Sequence, residues 1–216
     1  MTDLVLATRN KGKIAEVQRL INQYAGHINL RSVADFNLDD VEETGTTFEE
    51  NALLKAATIA RQTGLPALAD DSGISIDALD GAPGVYSARW SGVHGDDAAN
   101  IAKVLKELDG VPDSDRGAQF VSVIALALPD GRHIMVRGEV HGTVRHEPIG
   151  EYGFGYDPIF QPDGYEITTA QMNPELKDSI SHRGRALREI APKSRHLSGR
   201  ENPAVSNGEG RLEPYF

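Results

Sequence analysis

The chain has no cysteine among its 216 residues, which excludes disulfides, thiolate nucleophiles and thiolate metal ligands. No segment approaches the roughly 18 consecutive apolar residues that a membrane span requires. Basic side chains are in the minority, with 22 Lys and Arg against 32 Asp and Glu and a formal net charge of -10. That balance disfavours extended contact with a nucleic-acid backbone, although a local basic pocket or a bound cation would still let the protein hold a small phosphate compound. Several familiar motifs are also missing. The histidines form no H-E-x-x-H pair, Ser72 and Ser87 lack a G-x-S-x-G setting, and there is no dinucleotide fingerprint. The opening Met1–Ala7 stretch has no basic leader and is followed by Arg9, Lys11 and Lys13, so the expectation is a cytoplasmic protein without a signal peptide.

What is present is an ordinary globular composition, 39% hydrophobic, with 22 Gly and 11 Pro dispersed along the chain. The length suffices for one compact domain, or for two lobes that share a core. Leu4–Ala7 is predicted to be a short buried strand that opens onto the polar loop Thr8-Arg9-Asn10-Lys11-Gly12-Lys13. Ile14, Val17, Leu20, Ile21 and Tyr24 then recur at helical spacing. A second helix is expected after Thr47, because Thr47 and Glu50 have capping-box spacing and Leu53, Ala57 and Ala60 trace a stripe. Leu65–Ala69 is predicted to be a strand ending at Asp70-Asp71-Ser72-Gly73, and Gly81-Ala82-Pro83-Gly84 to be a turn. Ile101, Val104, Leu105 and Leu108 give a third helix. Gln119–Leu128, the Pro129-Asp130-Gly131 turn and Arg132–Val136 make a hairpin signal, which implies antiparallel strands added to an α/β core. A short helix is expected around Arg185–Ile190, stopping near Pro192. Residues 1–197 are assigned to the domain and 198–216 to a loose C-terminal extension whose Pro214, Tyr215 and Phe216 could dock.

Three segments carry candidate chemistry. The loop from Thr8 to Lys13 precedes a helix, so free N–H groups and the Lys13 charge suit a phosphate chain. It is not a Walker A loop, and a basic, solvated helix cap is the alternative. Asp70-Asp71-Ser72-Gly73 ends an apolar strand, where neighbouring side chains point to opposite sides. One aspartate of that pair can then enter a cleft, to ligate Mg²⁺ or to accept a proton from water, while the other holds the loop through backbone N–H groups. Glu42 and Glu43 could add a second oxygen ligand, and ordinary surface acids are the alternative. Phe154, Gly155, Tyr156 and Asp157 offer ring surface and a carboxylate suited to a heterocyclic base, or else a rigid turn with aromatics in the core. His182 and Arg183 add donors that could reach carbonyl oxygens on the same base.

Taken in order, these segments resemble the inosine triphosphate pyrophosphatase family, the non-canonical purine nucleotide pyrophosphatases. The matching pieces are Thr8–Lys13, Glu42-Glu43-Thr44-Gly45 with Phe48–Ala52, Ala69–Gly73, Gly81–Arg89, Gly153–Pro158 and Ser181–Gly184. The resemblance implies an elongated, two-lobed α/β fold with a central mixed β-sheet and a cleft between the lobes, usually as a homodimer. It implies that Thr8, Asn10 and Lys13, within the loop that includes Arg9, Lys11 and Gly12, contact a triphosphate. Glu42 and Asp71 would lie on the Mg²⁺ side, Asp71 would accept a proton, and Ser72 would touch substrate. Phe154, Gly155, Tyr156, Asp157, Lys177, His182 and Arg183 would recognise the nucleoside. The implied activity is hydrolysis of ITP, dITP and XTP to the monophosphate and pyrophosphate. A pyrophosphatase for other modified nucleotides and a non-catalytic nucleotide-binding regulatory module are the alternatives. Two departures from the family pattern are Arg9, where glycine or serine is more usual, and the extension beyond Ser198.

Overall fold

The computed structural model describes residues 2–24 and 28–197. The extension from residue 198 onward, with its expected looseness and docking end, lies outside the described residues. A six-stranded mixed sheet has the order β2-β1-β3-β4-β5-β6. Its strands are β1 (Thr2–Leu6), β2 (Ile28–Ser32), β3 (Ala67–Ile76), β4 (Gly117–Ala127), β5 (His133–Val144) and β6 (Phe160–Pro162). β1 runs parallel to β2 and β3, whereas β3, β4, β5 and β6 pair antiparallel. The helices are α1 (Lys11–Tyr24), α2 (Phe48–Thr63), α3 (Asp97–Glu107), α4 (Pro174–Ile180) and α5 (His182–Leu197). Among the described residues, no helix is long and apolar enough to cross a membrane.

Three apolar clusters divide the molecule into two lobes that share the long strands. In the first lobe, α2 packs Ala52, Ala56 and Ile59 against Val121, Val123 and Ala125 on one sheet face. On the other face, Val17 and Leu20 of α1 meet Ala186, Leu187 and Ile190 of α5 over Leu68 and Ile124. In the second lobe, Ile101, Val104 and Leu108 pack with Ile74, Ile76, Phe120 and Phe160. β3 passes from one lobe to the other, and its midpoint is Asp71-Ser72.

Two strands run further than the sequence pattern predicts. β3 continues through Asp70, Asp71 and Ser72 to Ile76, in unbroken register with β4, from Ala67 opposite Ala127 to Ile76 opposite Ala118. Buried aspartates inside a strand are tolerated here because each meets a cation, as described below. β5 reaches Val144 because Gly138, which resembles a breaker in sequence, marks a close approach. A Cβ there would lie 2.2 Å from the His182 carbonyl oxygen at the start of α5.

The helices also depart from the sequence expectation. The buried face of α2 is Asn51-Ala52, Lys55-Ala56 and Ile59-Ala60, one position from the expected stripe, and Leu53 and Ala57 are only partly buried. The Thr47–Glu50 capping box is present. Tyr24, expected on the stripe of α1, is 38% exposed. α5 begins earlier than expected and runs through Pro192 to Leu197. A proline costs a helix one N–H donor, but Ala186, Leu187 and Ile190 already anchor α5 in the core, and the Glu189–Lys193 pair spans the proline. α4 went unpredicted although Asn173-Pro174 is a start signal: Asn173 Oδ1 accepts the Leu176 N–H at 2.9 Å, with proline in the first turn.

Candidate active site

A cleft of about 730 Å³ lies where the lobes meet. Thr8, Arg9, Asn10 and Lys13, then Lys55, Asp71 and Ser72, and also Glu42, Glu43, Arg89 and His94 are among the residues that line it. On the Thr8–Lys13 side, Asn10 Oδ1 accepts the Lys13 N–H at 3.0 Å and Thr8 Oγ1 accepts the Asn10 N–H at 3.2 Å. These contacts fix the loop before α1, whose first-turn N–H groups would otherwise lack partners. Thr8 and Asn10, expected to contact a triphosphate, thus also act as acceptors for the loop itself. Arg9 ion-pairs with Asp40 at 3.2 Å and donates to the Leu38 carbonyl, so its charge ties the loop to the 38–40 segment. Lys11 is exposed and is not among the cleft-lining residues. Gly12 sits beneath the Phe154 ring, and a Cβ there would lie 2.4 Å from Phe154 Cδ1.

At the centre, two lysines grip the aspartate pair from either side. Lys13 Nζ reaches Asp70 Oδ2 at 2.8 Å and Lys55 Nζ reaches Asp71 Oδ1 at 3.0 Å. Both lysines also donate to the Asp70 carbonyl oxygen, at 3.3 and 3.1 Å. Asp70 was expected to bind backbone N–H groups. It is held instead by side chains: Lys13, Ser72, Ser122 and Arg183. Burial opposes ionisation of Asp70, but Arg183 and Lys13 outweigh it and hold the carboxyl well below the usual range.

Asp71 behaves in the opposite sense. Burial pushes its carboxyl above the ordinary value, and Lys55 and Lys13 offset only part of that. Lys55 is shared with Glu43 at 2.8 Å, and Glu43 also takes Arg89 at 3.0 Å. Asp71 Oδ2 is buried and has no hydrogen-bond partner, so a carboxylate of raised basicity presents an unused oxygen in a cleft. Glu42 is exposed at the cleft wall, whereas Glu43 is only partly buried and already paired. Among the described residues, no group of three or more His, Cys, Asp or Glu side chains gathers as a metal cluster.

The expected nucleoside-recognition residues form a second, contiguous assembly beside the loop, and most of it is buried. Lys177 Nζ binds Glu16 Oε1 at 2.7 Å and Asp157 Oδ2 at 2.5 Å. Arg183 pairs with Glu16 Oε2 and with Asp70 Oδ2 at 3.1 Å, and donates to Ser72 Oγ at 2.9 Å. Lys13, Asp70, Arg183, Glu16, Lys177 and Asp157 therefore form a ladder of alternating charge. The Phe154 ring lies over it, 5.0 Å from Lys177 Nζ and 5.8 Å from Arg183 Cζ. Tyr156 is a core residue whose hydroxyl donates to the Ser87 carbonyl at 2.8 Å. Asp157 is buried and braces the loop by accepting the Phe154 N–H at 2.9 Å. His182 stacks on Phe120 with ring centroids 4.9 Å apart, and burial, then Arg183, push its pKa down to about 3. Its Nδ1 and the Nε of Arg183 are buried and have no hydrogen-bond partner.

Sequence reasoning missed Lys55, Glu16 and Ser122. For Lys55 a signal existed, because a lysine falls at helical spacing between Ala52, Ala56 and Ile59 on the apolar stripe. Glu16 is likewise a carboxylate beside Val17 on the buried side of α1. Ser122 carried no signal within β4.

Fold and cleft together define a two-lobed α/β protein that presents lysines and carboxylates side by side where the lobes meet. The chain belongs to the Ham1 family, whose model matches residues 4–193. A dITP/XTP pyrophosphatase of Streptomyces avermitilis is 53% identical over 201 residues, 92% of this chain and 100% of that protein. The Mycobacterium tuberculosis protein of the same description is 50% identical over 200 residues, covering 92% and 98%. Among solved structures, a HAM1 protein from Coxiella burnetii superposes with a TM-score of 0.81 at 44% identity, covering 91% of this chain and 100% of that one. The Ham1 protein of Staphylococcus aureus gives 0.80 at 39%, covering 93% and 100%.

Proposed function

We propose that this chain hydrolyses the α–β phosphoanhydride of non-canonical purine nucleoside triphosphates, ITP, dITP and XTP, releasing the monophosphate and pyrophosphate. The observation that carries the reading is Asp71: a buried carboxylate with a raised pKa and a free Oδ2, one residue from the anchored Asp70 and facing the phosphate loop's cleft. Support for the substrate class comes from the relatives described as dITP/XTP pyrophosphatases.

In this reading the Thr8–Lys13 loop and the first turn of α1 bind the triphosphate through N–H groups and the Lys13 ammonium. Asp71 accepts a proton from water as the water oxygen bonds to the α-phosphorus. The bond from that phosphorus to the bridging oxygen breaks, and pyrophosphate leaves with the electron pair. Lys55 keeps Asp71 oriented, and Ser72 lies beside the reacting end. Asp71 and Glu42 fit a hard divalent cation, because Asp71 offers an unsatisfied oxygen and Glu42 an exposed carboxylate at the same cleft. Mg²⁺ is commonly held by one or two carboxylates plus substrate phosphates. When bound, Mg²⁺ would neutralise charge on the phosphate oxygens.

At the other end, the Phe154 ring supplies a stacking face, and Lys177, His182 and Arg183 supply donors near it. Hypoxanthine and xanthine carry an acceptor oxygen at position 6, whereas adenine places an N–H₂ donor there and leaves donor against donor. A homodimer belongs to this reading. It is supported by the family resemblance and by Tyr86 and Val93, large apolar side chains 51% and 60% exposed next to the cleft wall.

The test is a panel of ITP, dITP, XTP, GTP and ATP with purified protein and Mg²⁺, both products being identified. Monophosphate and pyrophosphate from ITP and XTP, with ATP turned over far more slowly, is the expected result. Orthophosphate and the nucleoside diphosphate as first products would place the cleavage elsewhere.

A further inference from the structure

Two carboxylates hold the backbone of the glycine loop that carries Phe154. The Phe154 N–H donates to Asp157 Oδ2 at 2.9 Å, from within the loop's own segment. The next N–H, that of Gly155, donates to Asp97 Oδ2 at 2.6 Å, from a residue 58 positions away in the first turn of α3. Phe154 is flanked by Gly153 at φ +79° and Gly155 at φ +61°, left-handed conformations that favour glycine. A backbone that glycines leave so permissive needs fixed partners if the Phe154 ring is to keep one place. The ring's place is also narrow, because it lies against Gly12 of the phosphate loop with no room for a Cβ between them.

The start of α3 holds a second structure as well. Asn100 Oδ1 accepts the Ser91 N–H at 2.7 Å, and Asn100 Nδ2 donates to the Ala88 carbonyl at 3.4 Å. That carbonyl also takes the Gly95 N–H at 2.8 Å. Ala88 and Gly95 line the cleft. One helical turn therefore fixes both the cleft wall and the loop that carries the ring, and Ile101, Val104 and Leu108 seat that helix in the second lobe's core.

We propose that Asp97 is a positioning residue for the purine end of the site. By accepting the Gly155 N–H it sets where the Phe154 ring lies against the phosphate loop, and hence how well a purine is gripped, without touching the reacting atoms. The inference rests on the reading above that Phe154 stacks on the base.

The experiment compares kcat and KM for ITP in wild type, Asp97→Ala and Asp97→Asn, together with the inhibition constant of inorganic tripolyphosphate, which has the phosphates and no base. Asp97→Ala should raise KM for ITP about tenfold, the size of one lost hydrogen bond to a carboxylate. It should leave kcat within about twofold and tripolyphosphate inhibition unchanged. Asp97→Asn keeps an acceptor oxygen and should recover most of the loss. In a Phe154→Ala background the alanine substitution should add nothing further. If Asp97→Ala does not fold, Asp97→Glu carries the same test, since it displaces the acceptor by one methylene. An unchanged KM would overturn the proposal, and so would an equal rise in the tripolyphosphate constant, which would mean a general disturbance of the cleft. A wild type that fails to hydrolyse ITP would remove the underlying reading too, whereas an active wild type with an indifferent variant removes only the role of Asp97.

Discussion

Asp70 and Asp71 are neighbours on one strand, yet their carboxylates belong to different parts of the molecule. Asp70 is locked between Lys13 at 2.8 Å and Arg183 at 3.1 Å, while Asp71 binds Lys55 at 3.0 Å through one oxygen and leaves the other without a partner. The pleat of β3 turns them to opposite sides. Two chemically identical side chains acquire opposite behaviour, one held strongly acidic and the other made more basic.

Asp71→Asn should therefore lower turnover by about 10²–10⁴ while leaving the fold intact. Asp70→Asn should act on stability instead, because it removes the buried counter-charge of Lys13 and Arg183, a loss of about 3–5 kcal/mol. Urea unfolding and ITP kinetics on both variants separate the two roles. A folded Asp71→Asn protein with near wild-type turnover would remove Asp71 as the catalytic carboxylate.

Activity should require a divalent cation. With excess chelator, ITP turnover should fall to background and return on adding Mg²⁺. Full activity in chelator, with no metal detected in the protein, would sink the assignment of Glu42 and Asp71 as oxygen ligands.

Arg183→Ala should narrow the preference for ITP over ATP by about one to two decades, provided that the Arg183 side chain supplies the donor for the 6-oxo group. Only Nε of its guanidinium lacks a partner, so this role uses that edge or draws Arg183 away from Glu16, Asp70 or Ser72. The measurement is kcat/KM for ITP, XTP, GTP and ATP on folded protein. An unchanged ratio would move base selection to another residue.

Burial, and then Arg183, hold His182 neutral with a pKa of about 3, against an ordinary 6.5. The unfolded chain binds a proton at His182 below pH 6.5 that the folded chain refuses until about pH 3. Stability from this residue is thus present above pH 6.5 and falls progressively through that window as the pH drops, by about 2 kcal/mol at pH 5. His182→Asn should shrink the difference between urea midpoints at pH 7 and pH 5. An equal difference in both proteins would show that other groups set the acid sensitivity.

Light scattering at micromolar concentration should give twice the 23.4 kDa of one chain. A mass of a single chain would remove the homodimer, and exposed Tyr86 and Val93 would then need another explanation.

Local sequence rules were sufficient where the structure is made locally. The Thr47–Glu50 capping box, the α1 stripe of Val17, Leu20 and Ile21, and the hairpin at Pro129-Asp130-Gly131 all depend on residues a few positions apart, and all are present. The polar turn from β1 into α1 was legible for the same reason, although α1 already begins at Lys11. Ordered motifs, from Thr8–Lys13 to Ser181–Gly184, identified the family.

Only the tertiary structure decided what each charge does. Lys55 and Asp71 are 16 positions apart, Glu16 and Arg183 167, and Asp97 and Gly155 58, so no local pattern joins them. A buried ion pair is stable only when both partners leave water together, and that condition is met when α1, α2, α4 and α5 close on the sheet. Sequence determined where the lysines and carboxylates fall along the local elements. The packing of α1, α2 and α5 on the sheet determined that Asp70 is spent as an anchor between Lys13 and Arg183, while Asp71, one residue on, pairs with Lys55 through one oxygen and keeps the other free.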